Sequence, residues 1–301
     1  LFQVNLKVLI GDMLYNFQRI VKRGKFPSVK VVIREKLLTG RIYSAMATGS
    51  WVGGRTGVCQ RLERTNHVRT IAHLRNVISP LSASQEHFEA RALHATHWGR
   101  LCAEETPEGV NIGLRKYLAV LAIISGTATE KDRELISDMV KKGSIEETQD
   151  TAVIFLDGKI IGATDNPEEL VKKIRDKRRL GLLSAYINVA YMPQVGEVYI
   201  NADSGRLQRP LIIVENGKSK LTEKHIERLN KGEITWLDLL SQGVIDYLDA
   251  EEENYALTAL NENELSKDKT HMEISPSSIL GLSASFVPFA AHNRGDRVNF
   301  G

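Results

Sequence analysis

Apolar residues recur every three or four positions at the beginning of the chain, and this spacing predicts a helix over residues 1–25. Gly24 and Pro27 break the pattern, and basic residues lie at its end, where a helix dipole favours positive charge. The apolar face of this helix would consist of Leu6, Ile10, Leu14, Phe17 and Val21.

Helical spacing returns from about Val58 to Val77. We expect this second helix to end near Ser79-Pro80, because the residue before a proline is pushed out of the helical conformation. The stretch 47–57 carries four glycines around Trp51 and therefore predicts a loop.

Strand patterns dominate from about residue 151 onwards. Two short apolar runs flank Asp157-Gly158, which is the strongest two-residue signal for a hairpin. A second hairpin is predicted over Glu197–Val214, with its turn at Asp203-Ser204-Gly205. Helices are predicted after Asn166, a capping residue followed by Pro167, and over about Thr222–Asn230.

These patterns divide the chain near residue 140 into a basic, loop-rich part and a compact α+β part. The 301 residues are 42% hydrophobic, enough to bury a core in more than one domain, and no apolar stretch is long enough to span a bilayer. Cys59 and Cys102 are the only cysteines, which argues against a disulfide framework and a cysteine-rich zinc site. The chain begins with Leu1 rather than Met, and we expect both ends to be cuts through a longer polypeptide.

Charge is distributed unevenly along the chain. Residues 1–100 contain 16 Lys and Arg against 5 Asp and Glu, whereas residues 101–301 contain 24 against 32. A basic end of this kind either attracts a phosphate backbone or forms a solvated surface. We interpret the acidic run Glu251–Glu253 as a solvated edge.

The densest cluster of reactive side chains lies between Arg91 and Lys116. His94 and His97 stand three residues apart with carboxylates close behind, a combination that suits zinc or manganese. A glycine and a type I turn predicted over Thr106–Gly109 separate these groups, which argues against a shared metal.

A cysteine hydrolase built on Cys102 with His94 or His97 is another hypothesis for the same segment. No nucleophile turn or oxyanion hole is indicated nearby, so the sequence favours it little.

The same segment, LHATHWGRLCAEETPEGVNIGLRKYLA (Leu93–Ala119), resembles the fork signature of beta-type subunits of multisubunit DNA-directed RNA polymerases. In that family a histidine–aromatic–glycine segment leads into Glu-Thr-Pro-Glu-Gly and then Gly-Leu. Upstream, MATGSW (Met46–Trp51) falls in the family's order. Downstream, TWLDLLSQGVIDYLDAEEE (Thr235–Glu253) and HMEISPSSILGLSASFVPF (His271–Phe289) resemble the archaeal and eukaryotic branch. The resemblance covers virtually the whole chain.

The resemblance implies an irregular α+β architecture made of several regions. These would be the end of a protrusion region (1–50), a fork region (51–140), an external region of hairpins and short helices (141–270) and the start of a hybrid-binding region (271–301).

The resemblance also implies template-directed RNA synthesis. The RNA 3′-hydroxyl attacks the α-phosphate of a nucleoside triphosphate, and Mg²⁺ is held mainly by another subunit and by residues outside this chain. The expected partners are the largest and other polymerase subunits, template DNA, the RNA–DNA hybrid and nucleoside triphosphates, with no membrane. We assign no metal ligand here, expect the isolated chain to be inactive, and expect a cytoplasmic location, or a nuclear one in a eukaryote.

Two residues resemble active-centre residues of the family. Arg297 resembles the arginine that reaches the incoming triphosphate, a role that suits the planar guanidinium fork, and Glu105 resembles the fork glutamate. Pro107 and Gly109 would fix the loop that follows. Nucleic-acid contact is expected from the fork wall, although a structural salt bridge is an equal alternative for each arginine. The fork-wall residues are Trp51, Gln60, Arg61, Arg64, Asn66 and Arg75.

The chain departs from the family pattern beside Arg297. This branch usually has His-Asn-x-Ser-Pro-Arg-Asn, whereas residues 292–299 are HNRGDRVN, with Gly295 and Asp296 in place of serine and proline. The alternative function is a free-standing nucleic-acid-binding module without catalysis. The basic first hundred residues favour that alternative, and the ordered resemblance through Arg297 disfavours it.

Overall fold

The structure is a computed structural model that describes residues 1–55, 57–143 and 151–300. Its contacts divide the chain into two compact units, Leu1–His87 and Phe88–Gly301. Helices and strands are mixed, which confirms the α+β class. The four regions implied by the family resemblance stay predictions. Thr56 of the predicted glycine-rich loop, and residues 144–150 beside the predicted change of structure near 140, lie outside the described residues.

The first unit is mainly helical, and the helix predicted at its beginning is confirmed. Gly24, at φ 70°, follows that helix in a left-handed conformation that glycine adopts at little cost. The described helices, none of which is long and apolar enough to cross a membrane, include one over 37–48 that the sequence patterns did not predict. The elements are α1 (Phe2–Val21), α2 (Val29–Val32), α3 (Leu37–Thr48), α4 (His67–Leu74) and β1 (Asn76–Ile78).

The apolar face predicted for α1 is not the face that the described residues bury. The buried residues of this helix are Asn5 and Asn16, and the Asn16 amide donates a hydrogen bond to Asp12 Oδ2 at 3.0 Å. Four residues of the predicted apolar face are between 44% and 52% exposed, namely Ile10, Leu14, Phe17 and Val21.

The helix predicted over Val58–Val77 is wrong in its first half. α4 begins only after Asn66, whose side-chain oxygen accepts a hydrogen bond from the backbone N–H of Arg69 at 2.6 Å. The preceding residues lie across α4, where the backbone N–H of Glu63 donates to His73 Nδ1 at 3.1 Å. α4 also ends before the predicted stop at the proline. The cap at Asn66 and the hydrogen bond from Glu63 to His73 therefore determine where α4 begins, although the apolar spacing predicted an earlier start.

The second unit combines short helices with strands, most of which belong to two sheets. Its helices are α5 (Phe88–Arg91), α6 (Glu130–Gly143), α7 (Pro167–Arg179), α8 (Glu223–Asn230), α9 (Trp236–Ser241), α10 (Ala250–Asn254), α11 (Leu282–Ser285) and α12 (Gly295–Phe300). Its strands are β2 (Arg115–Tyr117), β3 (Ile123–Ile124), β4 (Ala152–Leu156), β5 (Lys159–Thr164), β6 (Asn188–Met192), β7 (Glu197–Asn201), β8 (Leu207–Glu215), β9 (Lys218–Ser219), β10 (Ile245–Leu248), β11 (Thr258–Ala259) and β12 (His271–Met272).

One sheet has the strand order β5-β4-β7-β6 and packs against α6 and α7. The hairpin predicted at Asp157-Gly158 is confirmed between β4 and β5, with φ of 48° and 76° at the two turn residues. The helix predicted after Asn166 is confirmed as α7, because the Asn166 side chain accepts from the backbone N–H of Glu169 at 3.3 Å. The core between this sheet and its helices includes Ile136, Ile154, Ile174, Ile187 and Ile200.

β8 is the central strand of the other sheet, where it pairs with β10 and β12 on its two sides. The second predicted hairpin is therefore wrong in its pairing, although both of its strands exist. β7 pairs with β4 and β6 instead. The predicted turn instead connects β7 of one sheet to β8 of the other. Its backbone is hydrogen-bonded to a segment distant in sequence, since the N–H of Gly205 donates to Ser125 O at 3.1 Å. The predicted helix Thr222–Asn230 is confirmed as α8, with Thr222 as its cap.

The interpretation of Glu251–Glu253 as a solvated acidic edge is wrong for Glu252 and Glu253. Glu252 is 1% exposed, and its carboxylate accepts hydrogen bonds from Arg178 Nη1 at 2.7 Å and Arg175 Nε at 2.9 Å. Burial alone would raise the pKa of Glu252, but the charges of Arg178 and Arg175 hold it below its usual value. Glu252 is therefore part of the interior, where α10 meets α7, and Glu253 is half-buried, whereas Glu251 is exposed.

Asp246 on β10 extends this buried charge. It lies 3.3 Å from Arg178 and 2.8 Å from Arg179, and it is 3% exposed. Burial would raise the pKa of Asp246, yet the facing arginines keep that pKa below its usual range. α7, which packs on the first sheet, is thus joined by ion pairs to β10 of the second sheet.

We predict that Glu252→Gln lowers the free energy of unfolding of this chain by about 3 kcal/mol, because it leaves the buried Arg178 with only one of its two carboxylate partners, Asp246. The pKa of Glu252 is lowered in the folded state, so this contribution is fully present above about pH 4.3, the value for an unfolded glutamate, and is lost as the pH falls below it. Urea unfolding at several pH values measures both effects. Glu215→Gln, which breaks an exposed pair with Lys220, is the matched control and should cost less than about 1 kcal/mol. Equal costs for the two variants would contradict the prediction.

Candidate functional site

The segment Leu93–Ala119 is fixed to the interior of the second unit by the side chains at positions 98 and 100. The indole N–H of Trp98 donates to Glu273 Oε1 at 3.0 Å. Arg100 is 4% exposed, donates to Leu248 O at 3.0 Å and forms an ion pair with Glu253. These contacts span about 150 residues or more of sequence and determine where the segment lies.

Arg209 on β8 connects the same two carboxylates. Its Nη1 donates to both oxygens of Glu273 at 2.7 Å, and its Nε donates to Glu253 Oε2 at 2.9 Å. Gly99 packs directly against it, since a Cβ at that position would stand 2.6 Å from Arg209 Cδ. Gly99 also has φ 65°, so both its conformation and the lack of space favour glycine.

The loop after this segment is closed by a side chain. Thr106 Oγ1 donates to Arg115 O at 3.0 Å and accepts from the backbone N–H of Gly113 at 2.8 Å. The type I turn predicted over 106–109 is wrong, because Glu108 is extended, with φ −78° and ψ 170°. The bend comes instead at Gly109, with φ 72°, which begins a 3-10 helix.

Cys102 and Glu105 lie together against Gly281. The Cys102 thiol accepts a hydrogen bond from the backbone N–H of Glu105 at 3.2 Å. A Cβ at Gly281 would stand 3.1 Å from Cys102 Cβ and would overlap the Glu105 carboxylate. Ala119 forms a β-bridge to the same glycine. The loop and the segment that follows 281 are therefore in contact.

The chemistry of Cys102 does not favour a hydrolase. The residue is buried, and this burial raises the pKa of its thiol even though backbone N–H groups of Glu105, Glu104 and Gly281 oppose the change. A thiol with a raised pKa stays protonated at neutral pH and is a poor nucleophile.

The side chains of His94 and His97 form hydrogen bonds with the backbone of their own segment. His94 Nδ1 accepts from the backbone N–H of Thr96 at 3.3 Å, and His97 Nδ1 accepts from that of His94 at 3.3 Å. Burial, the nearby charge of Lys116 and the neighbouring His94 all lower the pKa of His97. Across residues 1–55, 57–143 and 151–300, no group of three or more His, Cys, Asp or Glu side chains is arranged to hold a metal ion.

Arg297 lies on α12 and is exposed to solvent. The beginning of this helix contacts the loop, since a Cβ at Gly295 would overlap the Glu104 carboxylate. Arg294 and Asp296, the two sequence neighbours of Gly295, form an ion pair with each other at 3.4 Å. The structure therefore brings Glu104 to the helix that carries Arg297, while Glu105 lies against Gly281.

The predicted fork-wall residues belong to the first unit, and two of them take part in the fold. Asn66 caps α4, and Gln60 donates to Gly57 O at 2.8 Å while its oxygen lies 3.2 Å from His73 Nε2. The remaining four differ in exposure: Arg61 and Arg64 are exposed, whereas Trp51 and Arg75 are half-buried. Arg61 and Arg64 are thus the ones available to a ligand of this unit.

The residues that position the loop were not predicted from the sequence. Arg209, Glu253 and Glu273 are far apart in the chain and belong to no motif of reactive residues. One signal was present: the acidic run follows soon after β10, whose four residues are all buried. Carboxylates this close to a buried strand can lie in the interior, where they require basic partners.

Comparison with known families places the chain beside RNA polymerase subunits. Models of RNA polymerase Rpb2 match it in order, with domain 3 over residues 60–124, domain 4 over 154–215 and domain 5 over 236–278. Together these matches cover more than half of the chain.

Relatives align along the full length of the chain. It is 44% identical to the DNA-directed RNA polymerase subunit Rpo2 of Sulfolobus acidocaldarius and 42% identical to that of Saccharolobus solfataricus. It is 32% identical to the DNA-directed RNA polymerase II subunit RPB2 of Encephalitozoon cuniculi. Each alignment covers 100% of the chain and 28% of the relative. The chain thus spans less than a third of the length of these relatives.

We predict that Gly99→Ala destabilises the chain more than Gly158→Ala does. Both glycines have a left-handed φ, but Gly158 has open space around its Cβ position, whereas Gly99 faces Arg209. The conformational cost alone is about 1 kcal/mol, and displacing a buried, paired arginine raises the total to about 3 kcal/mol. Denaturant unfolding of the two variants measures the difference. Equal losses of stability would show that Arg209 moves aside freely.

Proposed function

Because the chain belongs to the RNA polymerase Rpb2 family, we propose that it is part of the second subunit of an archaeal-type DNA-directed RNA polymerase and contributes to template-directed RNA synthesis. The observation that carries this proposal is the order of the matches, with domains 3, 4 and 5 following one another along the chain. In this role its partners are the largest and other polymerase subunits, template DNA, the RNA–DNA hybrid and nucleoside triphosphates, in the cytoplasm or, in a eukaryote, the nucleus.

We propose that the first unit contributes to the wall of the nucleic-acid cleft. Residues 1–87 contain 14 Lys and Arg against 4 Asp and Glu, and Arg61 and Arg64 are exposed. Exposed arginines of this kind bind phosphates through charge and without reading bases. Asn66 and Gln60 are exposed as well, and their side chains also stabilise this wall because they bond the backbone or His73.

We propose that Arg297 contacts the triphosphate of the incoming nucleotide. Its guanidinium is exposed, and a planar fork donates paired hydrogen bonds to phosphate oxygens. Such bonds favour the charge that develops as the RNA 3′-hydroxyl attacks the α-phosphate and pyrophosphate leaves. Glu105, held beside Cys102 and Gly281, keeps the adjoining loop in place.

Magnesium ions supply the remaining charge stabilisation when they are bound. We propose that the ligands of these ions belong mainly to another subunit and to residues outside this chain, as the family resemblance implies. A free-standing nucleic-acid-binding module is the second candidate function, and the excess positive charge of residues 1–87 is the observation that favours it.

We predict that the isolated chain does not extend a primed template in the presence of magnesium and nucleotides, because we propose that the metal ligands lie mainly in another subunit and in residues outside this chain. A gel assay of primer extension with the complete polymerase as positive control measures this. Extension by the chain alone would contradict the proposed division of labour between subunits.

We predict that Arg297→Ala in a reconstituted polymerase lowers kcat/KM for nucleotide addition about tenfold to a hundredfold, the value of a hydrogen-bonded charge pair. Assembly should be unchanged because the side chain is exposed. Single-nucleotide addition across nucleotide concentrations measures the effect.

The matched control is Arg294→Ala, which removes an equally exposed charge from just before the same helix. It should change kcat/KM by less than about threefold, within the range of an exposed ion pair. Equal losses in both variants would indicate a general effect of charge. Unchanged kinetics in Arg297→Ala would overturn the assignment and leave this chain as a cleft wall only.

A further inference from the structure

The position before Arg297 at which this chain departs from the family pattern faces an acidic side chain. The family has serine where this chain has Gly295. A Cβ at that position would overlap Oε2 of Glu104 and would stand 3.4 Å from its carboxyl carbon. Because the carboxylate fills the space that a serine side chain would need, glycine at 295 and glutamate at 104 form a matched pair.

The loop touches the Arg297-bearing segment at two consecutive residues. Glu105 lies against Gly281, and Glu104 lies against Gly295. Both contacts are made to glycines, so the carboxylates approach the backbone itself. The stretch 281–295 is therefore held at both of its ends by one short, half-buried piece of the loop.

The charges around this contact agree with it. Arg294 and Arg297 lie on either side of the contacted glycine, and Asp296 pairs with Arg294. The Glu104 carboxylate brings a further negative charge to this basic stretch while leaving Arg297 exposed. The negative charge of Glu104 attracts the positively charged residues around Gly295 towards the loop. The guanidinium of Arg297 stays exposed and can still bind a ligand.

We infer that Glu104 is a positioning residue, whose carboxylate holds the beginning of α12 against the loop and thereby sets the direction in which Arg297 is presented. The inference rests on the proposed function of Arg297 and adds to it a residue that acts through the helix rather than on the nucleotide. Gly295 is the complementary half, because any side chain there displaces the carboxylate.

The test uses the reconstituted polymerase with Glu104→Ala, Gly295→Ala and the double variant. The atom that alanine would meet at 295 is the end of a flexible side chain, so Gly295→Ala expels the carboxylate without forcing the backbone apart. Each single variant should raise KM for the nucleotide about threefold with kcat little changed, and the double variant should be no worse, since all three lack the same contact. Glu89→Ala, which removes an exposed glutamate outside this loop, is the control and should leave KM unchanged.

Hydrogen exchange of the α12 amides in the polymerase without nucleotide provides a readout independent of activity. Faster exchange in Glu104→Ala and Gly295→Ala, together with the non-additive rise in KM, is the expected result. Unchanged exchange overturns the inference even if Arg297→Ala is severely impaired. Faster exchange with unchanged KM overturns the link from Glu104 to Arg297, provided that Arg297→Ala itself raises KM. If Arg297→Ala has no effect on KM, the proposed function fails, and exchange alone decides whether Glu104 holds the helix.

Discussion

Buried ion pairs between Arg178, Glu252 and Asp246 hold the second unit together. Arg178 is on α7, which packs on one sheet, whereas its two partners lie on α10 and on β10 of the other sheet. Ionised groups of this kind are costly to bury, and removing one partner leaves the other uncompensated. The two sheets are thus linked by ion pairs of Arg178 that are stable only when both carboxylates are present.

The same kind of contact continues to the candidate site. Arg209 and Arg100 share Glu253, and Arg209 also binds Glu273, which accepts the indole N–H of Trp98. These contacts with the interior therefore set the position of the segment Leu93–Ala119. Its loop then reaches α12 through contacts at Gly281 and Gly295. A chain of side-chain contacts runs from the interior to the helix that carries Arg297.

The nucleophilic and basic side chains of the segment Leu93–Ala119 take part in the fold and are not arranged for catalysis. Cys102 is buried with a raised pKa, and His94 and His97 bond their own backbone. Arginines and carboxylates pair with one another in the interior, whereas Arg297 is exposed. This difference in burial agrees with the role that we propose for Arg297.

The sequence by itself determined the features whose bonds are local. The hairpin at Asp157-Gly158 and the helix capped by Asn166 follow from conformations and hydrogen bonds within a few residues, and the motif order identified the family. Only the tertiary structure decided that β7 and β8 belong to different sheets, that Glu252 is buried, and that Glu104 meets Gly295. A turn signal does not specify which strands pair, and a charged residue shows no sign of its distant partner, because both depend on contacts between residues far apart in the chain.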